Sequence, residues 1–506
     1  MTQERLNRHQ RPIVKRIIVR GTLILDTPTC LGSGDTDSPT DLPLLRDSIS
    51  DRALLTGSSI AGSLRNYLHE YEQGYGKSEI RQGLATKLFG HLFRYEGDDP
   101  KEEENQSPLI IDDAISSTIP SIELRDGVKI DGATGTAEDG AKYDLELLEA
   151  GTEFFLNFEL LIEKDEADLK KALALALKGL EKGEICLGLK KRRGFGRCHV
   201  EKWQVWEFDL QKHKDRIEWL KFDHWTRELS NKRKSFESIV VALGGVSLKQ
   251  QIDQRDRFTI HATFKLVGSL LIRSGQAATG RAPDVVHLKS HRPQHSNQEI
   301  EDSSEKNKHK LVHVLSGTSL AGVLRHRAER IVKTLGSCSP IVEHLFGFVN
   351  GKQSQASRLV VHEKVIKNTA ELVQTRIAID RFTGGAYHGA LFDEQPIFGS
   401  NETIVTIELE LRNPEQQEIG LLLLLLKDLW TEDLPVGGGS SVGRGRLQGI
   451  KADLIWTKEQ KSWKIAQPDL SKNSLEITGS DRQDLENYVN RLVEYAQQET
   501  TKNDQA

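Results

Sequence analysis

DGATGTAEDGAKYD, Asp131 to Asp144, returns as DRFTGGAYHGALFD, Asp380 to Asp393, at an offset of 249 residues (131 to 380) with no gap. The shared positions are Asp131/Asp380, Thr134/Thr383, Gly135/Gly384, Ala137/Ala386, Gly140/Gly389, Ala141/Ala390 and Asp144/Asp393, and Tyr143 faces Phe392. Three further landmarks repeat in the same order. TGSSIAGSLRNYL (Thr56 to Leu68) matches SGTSLAGVLRHRA (Ser316 to Ala328). KLFGHL (Lys87 to Leu92) matches HLFGFV (His344 to Val349), and LGLKKRRGFGR (Leu187 to Arg197) matches VGGGSSVGRGR (Val436 to Arg446). Four ordered matches imply a duplicated module. The copies span residues 11–209 and 256–458, with a connector at 210–255 and an extension at 459–506.

Each copy reads as a mixture of strands and helices. KRIIVRGTLILDTP (Lys15 to Pro28) and FTIHATFKLVGSLLI (Phe258 to Ile272) alternate and are β-branched, as strands are. Ile60, Leu64 and Leu68 sit four apart, as do Leu320, Leu324 and Ala328, which gives each copy an amphipathic helix. Short strands are expected at Leu109–Ile111 and Leu359–Val361, and longer ones at Phe154–Leu161 and Thr403–Leu411. A second helix is expected at Ala167–Leu180 and at Ile419–Trp430. The order approximates βαββαβ. The fold class is α+β: two tandem ferredoxin-like (RRM-like) modules, an antiparallel sheet backed by two helices in each. The connector holds Trp219 and Trp225 and reads as partly helical and packed. Asp481–Gln498 reads as a helix, and the closing TKNDQA as frayed.

Composition narrows the class. The chain has 506 residues and a net charge of -5. That length suits two or three domains. The slight acidity argues against a free-standing nucleic-acid binder but leaves room for local basic patches. The four cysteines are scattered without a CxxC pair, so neither a zinc site nor a disulfide framework is expected, and a reducing cytoplasm is the expected compartment. MTQERLNRHQRP has no apolar core and does not read as a signal peptide. IGLLLLLLKDLW (Ile419 to Trp430) is far short of the roughly 20 residues needed to span a bilayer.

The glycine loops point to chemistry. Lys190, Lys191, Arg192, Arg193 and Arg197 surround glycines, and Arg444 and Arg446 do so in the second copy. Successive backbone N–H groups with cations suit a phosphate; a structural turn is the plainer reading of either loop alone. No GKS or GKT closes them, so an ATP site is not indicated. A polynucleotide backbone fits better.

The combination of GSSIAGSLR (Gly57 to Arg65), LFG (Leu88 to Gly90), Thr134-Gly135 and GFGR (Gly194 to Arg197) resembles the RAMP superfamily. The second copy repeats it as GTSLAGVLR (Gly317 to Arg325), LFG (Leu345 to Gly347), Thr383-Gly384 and GRGR (Gly443 to Arg446). More narrowly it is similar to the backbone subunits of type III CRISPR effector complexes, with two modules fused as in a type III-D variant. The resemblance covers most of both modules and neither the connector nor the C-terminal helix.

It implies a ferredoxin-like core with a thumb hairpin in each module. It implies binding of a guide CRISPR RNA and a complementary target RNA beside other backbone, small and large subunits. It also implies endonuclease cleavage of the target with a divalent metal, Mg2+ being expected, in a ribonucleoprotein of antiviral defence. In DLPLLRD, Asp41 takes the catalytic place, Arg46 the basic place and Asp47 the trailing acid. In DVVHLKS, Asp284 and Lys289 take the first two, while Ser290 departs from the acid. Asp41 and Asp284 are also the candidate metal ligands, and Asp26, Asp35 and Asp37 are rivals in the first module. Ser58, Arg65, Thr318 and Arg325 at the helix starts join the loop cations as RNA contacts. So do Arg125, Lys129, Arg376 and Arg381, in thumbs expected at Ile111–Asp131 and Val361–Asp380. The polar insert Ser290–Lys310 reads as a solvated loop or as a flap that meets RNA through Lys306, Lys308 and Lys310. Two other functions stay open: a non-catalytic guide scaffold and a precursor-processing endonuclease. The latter would want a histidine pair, and no histidine is matched between the copies.

Overall fold

The alternation in KRIIVRGTLIL sets the centre of the first sheet. The computed structural model describes residues 12–34, 40–91, 106–132, 134–163, 166–226, 228–248, 251–274, 283–293, 309–336, 340–351, 353–468 and 474–503. In it this run is strand β1 (Lys15–Leu25), whose Ile17, Val19 and Leu23 enter the first core. Helix α1 (Gly57–Gln73) follows, with Thr56 as N-cap accepting from the backbone N–H of Ser59. Then come β2 (Leu109–Ile111), a projecting hairpin of β3 (Ile122–Ile130) and β4 (Ala137–Leu148), and β5 (Glu153–Ile162). Helix α2 (Glu166–Glu181) and β6 (Cys198–Asp209) close the module.

The sheet is antiparallel in the order β2-β5-β1-β6. Ile60, Leu64 and Leu68 of α1 and Leu173 and Leu177 of α2 share its core. The connector splits between the two sides of this sheet. Its helix α3 (His213–Leu220) and Phe222 lie on the outer face, where Trp219 stacks with Arg16 and Phe222 packs on Trp206 and Phe208. Its helix α4 (Ile239–Ala242) buries Ile239 in the first core.

The second module repeats this order with a core of its own. Its elements are β7 (Arg257–Val267), α5 (Gly317–Thr334), β8 (Leu359–Val361), a hairpin of β9 (Gln374–Ile379) and β10 (Ala386–Gln395), β11 (Ile397–Arg412), α6 (Gln416–Trp430) and β12 (Arg446–Trp456). β8 pairs with β11, β11 with β7 and β7 with β12, all antiparallel. The chain is thus a mixed α+β protein of antiparallel sheets. The extension enlarges the second sheet with β13 (Lys461–Ala466) and β14 (Glu476–Gly479). Helix α7 (Arg482–Asn503) then seats Leu485, Tyr488 and Leu492 in the second core. Gly420 permits that approach, since a Cβ there would lie 2.2 Å from the Tyr488 carbonyl oxygen. Among the described residues no helix is long and apolar enough to cross a membrane.

Three expectations need correction. The projecting hairpins do not end at Asp131 and Asp380. Those residues begin the tips, and the matched segments are tip plus return strand, because β3 pairs with β4 and β9 with β10. The insert after Asp284 is not a free loop at its ends. Lys289–Pro293 pairs antiparallel with the strand His309–Leu315, and 294–308, with Lys306 and Lys308, lie outside the described residues. Thr501, Lys502 and Asn503, expected to be frayed, belong to α7.

Candidate nucleic-acid interface

The first glycine loop folds as a tight 3-10 turn, Lys191–Arg193, between a left-handed Lys190 (φ 53) and a left-handed Gly194 (φ 90). The second loop repeats it as Ser440–Val442 between Gly439 (φ 76) and Gly443 (φ 83). The first turn is pressed onto the second module. A Cβ on Gly194 would lie 2.3 Å from the Glu363 backbone N, and one on Gly317 would lie 2.3 Å from the Arg193 carbonyl oxygen. Arg192 Nη1 donates to the Ser357 carbonyl oxygen at 2.6 Å, and Arg193 Nη2 to the Phe346 carbonyl oxygen at 3.2 Å. Burial lowers the pKa of both guanidiniums; the neighbouring Arg412 adds to this at Arg192, and Arg325 does so at Arg193.

A buried ionic chain locks the same seam. Arg125 on β3 donates to Glu363 at 2.6 and 3.1 Å and to Glu123 at 2.5 Å. Arg292 donates to Glu363 at 2.6 Å, and Ser290 to Glu123 at 3.1 Å. Burial works against these charges, yet Arg125 and Arg292 together hold the Glu363 carboxyl below its ordinary range. Ser290 therefore has a physical reason. An acid there would be buried against Glu123, whereas its counterpart Asp47 sits at a surface turn accepting from Ser50.

Between α1, the first glycine loop and the β8–β11 edge lies a cavity of about 630 Å³. Ser58, Lys191, Arg192 and Arg197 line it from the first module, and Glu408 and Arg412 from the second. Arg197 lies 3.8 Å from Glu408, whose carboxyl is pulled down to about 2: burial opposes this, and His362 and Lys364 outweigh it. His362 is itself pushed down to about 4 by burial, so it is neutral at pH 7.

Ser58, Lys191, Arg192 and Arg197 are thus brought together, and the other proposed contacts are not. Lys190 stacks on Tyr143 at 3.7 Å. Arg65 pairs with Glu79 at 2.7 Å and reaches the Phe89 carbonyl oxygen, while Arg325 pairs with Glu329 at 3.2 Å and reaches the Gly347 carbonyl oxygen. Both helix-start arginines hold the short helix that follows. Thr318 opens α5, half-buried. Arg125, expected on a free thumb, is a buried seam residue. Arg444 is 3% exposed and pairs with Glu394 at 2.8 Å, where Arg376 also pairs at 2.9 Å. Arg444 is a strut of the second module, because a phosphate could reach it only by breaking that pair. Lys129, Arg381 and Arg446 are exposed, the first paired with Glu138 at 2.7 Å.

The two aspartates occupy one place in two copies. Asp41 Oδ2 accepts from the backbone N–H of Asp144 at 2.8 Å, and Asp284 Oδ2 from that of Asp393 at 2.9 Å. After each aspartate the chain runs parallel to the hairpin's return strand, through Leu42↔Leu145 and Val285↔Glu394. The partners Asp144 and Asp393 are themselves a matched pair of the repeat. Among the described residues the Oδ1 of each is shielded from solvent and accepts no hydrogen bond, although Lys142 Nζ stands 3.6 Å from that of Asp144. In the sequence their only mark is that two identical acids close the matched segment. Lys289 pairs with Glu371 at 2.6 Å and Arg46 with Asp51 at 3.1 Å. Of the rivals, Asp26 binds His199 at 2.7 Å, and Asp35 and Asp37 lie outside the described residues.

Among the described residues no three His, Cys, Asp or Glu side chains gather as a metal cage. Two carboxylates per module still suit Mg2+, which is commonly held by one or two carboxylates plus substrate phosphates.

The model of one protein family, the RAMP superfamily, matches residues 22–199 and 263–448, most of the chain and both modules. No curated protein matches the sequence.

Proposed function

Because the chain belongs to the RAMP superfamily, which groups it with CRISPR-associated RNA-binding subunits, we propose that it is a guide-RNA-binding backbone subunit of a type III effector complex, of the fused type III-D kind, that cleaves complementary target RNA. Each module is read as a ferredoxin-like βαββαβ unit, which the sheet order supports. The observation that carries the cleavage reading is the repeated hydrogen bond of Asp41 and Asp284 to the N–H of Asp144 and Asp393. Two modules set one carboxylate each at the root of a projecting hairpin.

The chemistry asks little of the protein. A 2′-oxygen attacks the adjacent phosphorus and the 5′-oxygen leaves, provided the link is held in line. Orientation of that kind contributes up to roughly 7–11 kcal/mol. Asp41 or Asp284, fixed by its backbone donor, is aimed to take the 2′-hydroxyl proton. Asp41 with Asp144, and Asp284 with Asp393, would hold a divalent ion. Such an ion neutralises charge on the phosphate. Ser58, Lys191 and Arg197 in the seam cavity are the contacts for guide phosphates, which position the RNA without reading its sequence. The complex works where its RNAs are, in the cytoplasm.

The test is a time course on end-labelled target RNA with assembled, guide-loaded complex. Asp41→Ala should slow one cut by about 10²–10⁴-fold and Asp284→Ala a neighbouring cut by as much, with guide retained. An unchanged product ladder from the double variant would leave the protein as a scaffold.

A further inference from the structure

The connector presents a second surface, outside both matched segments. Residues 212–234 carry eight Lys and Arg against four Asp and Glu, a local +4 in a chain of net charge -5. Within it Trp225 is 92% exposed. A tryptophan in water is normally an accident of a loose loop, but the backbone that carries this one has a built support. Asp223 Oδ1 accepts from the N–H groups of Trp225 and Thr226 at 3.0 Å each, and its Oδ2 accepts from Thr226 Oγ1 at 2.5 Å. The carbonyl of Asp223 in turn accepts from Arg20 Nη2 at 2.6 Å. Arg20 is buried in the first sheet, lying over the rings of Trp206 at 5.3 Å and Phe222 at 4.8 Å. The turn that displays Trp225 is therefore tied to the centre of β1.

We propose that the connector surface around Trp225, with Lys221 and Lys232, binds single-stranded RNA. An exposed aromatic on an anchored turn offers a stacking platform, which any base can use. Exposed cations of the same connector take phosphates, and the charge excess runs against the sign of the whole chain. An acidic protein partner would use the charge but has no need of a tryptophan displayed on an anchored turn. The site is separate from the seam cavity and extends RNA contact to the outer face of the first module.

The test uses the full chain and a fluorescein-labelled oligouridine, followed by anisotropy across a salt series. Trp225→Ala should weaken binding about tenfold, and Trp225→Phe should retain affinity within about twofold. Lys221→Glu with Lys232→Glu should flatten the salt slope by about 1–2. Because Trp225 is 92% exposed, Trp225→Ala should melt as the wild type does. No oligouridine binding by the wild type, or equal binding by Trp225→Ala, overturns the proposal. So does loss of a protein subunit from Trp225→Ala complexes with RNA affinity intact. Lys191→Glu separates the two readings. If guide retention survives Lys191→Glu while Trp225→Ala weakens oligouridine binding, the seam reading fails and this one stands.

Discussion

The two glycine loops share a backbone and differ in what they touch. Gly196 (φ 77) and Gly445 (φ 79) close loops of the same shape. In the first module the loop is pressed against its neighbour. In the second, a Cβ on Gly443 would meet nothing within 4 Å, and Val442 is 56% exposed where Arg193 is inserted into a partner. The hairpins differ in the same way. Gly132 at the first tip lies against His326 and Glu329 of α5, whereas Phe382 at the second tip is 99% exposed. Contact between the modules is head to tail, and such contacts leave an unused donor at one end and an unused acceptor at the other. Loop shape belongs to the module; loop use belongs to its place in the row.

The largest expected effect lies in the seam. Glu363→Ala leaves Arg292 without its buried counter-charge and Arg125 with Glu123 alone, and should cost about 3–5 kcal/mol. Its counterpart Asp113, which accepts from the Gly57 N–H at 2.7 Å as a helix cap, should cost about 1 kcal/mol as Ala. Chemical denaturation would show the difference, and equal losses would break the asymmetry. The same pair gives a pH dependence. The seam contribution of Glu363 is fully present above the unfolded carboxyl value near 4.3. It is lost as pH falls through the lowered value in the folded chain.

A smaller effect tests an internal swap. Phe195 packs with Leu145 in the first module, and the matched residues Arg444 and Glu394 form an ion pair in the second. Arg444→Phe alone should destabilise by about 3 kcal/mol. Adding Glu394→Leu should recover most of it, since apolar replacement of a buried pair is often neutral or better. Additive losses in a double-mutant cycle would contradict the equivalence. The smallest contrast is Gly194→Ala against Gly443→Ala. Both strain a left-handed position by about 1 kcal/mol, but only the first also drives a methyl into the Glu363 backbone. Comparable melting temperatures would mean that the seam opens easily.

Much of this was open to reading in one dimension. The repeat gave two modules, and the period of Ile17, Val19 and Leu23 and the spacing of Ile60, Leu64 and Leu68 gave their layers. These are local periodicities, and a sheet or helix face imposes them on any sequence that folds there. The equivalence of Asp41 and Asp284 was also legible, because each keeps its distance from a basic residue. The fate of the cations was not. Arg193, Arg125 and Arg444 carry the same letter as exposed Arg381, and nothing near them in sequence announces Phe346, Glu363 or Glu394. An arginine's partner lies within a few ångströms in space and, for Arg125, 238 residues away along the chain. Sequence by itself therefore determined which elements form and which residues are duplicated. Only tertiary packing, within each module and of one module on the next, decided which charges are used inside the protein and which still face a ligand, because burial and pairing depend on neighbours that the local pattern does not contain.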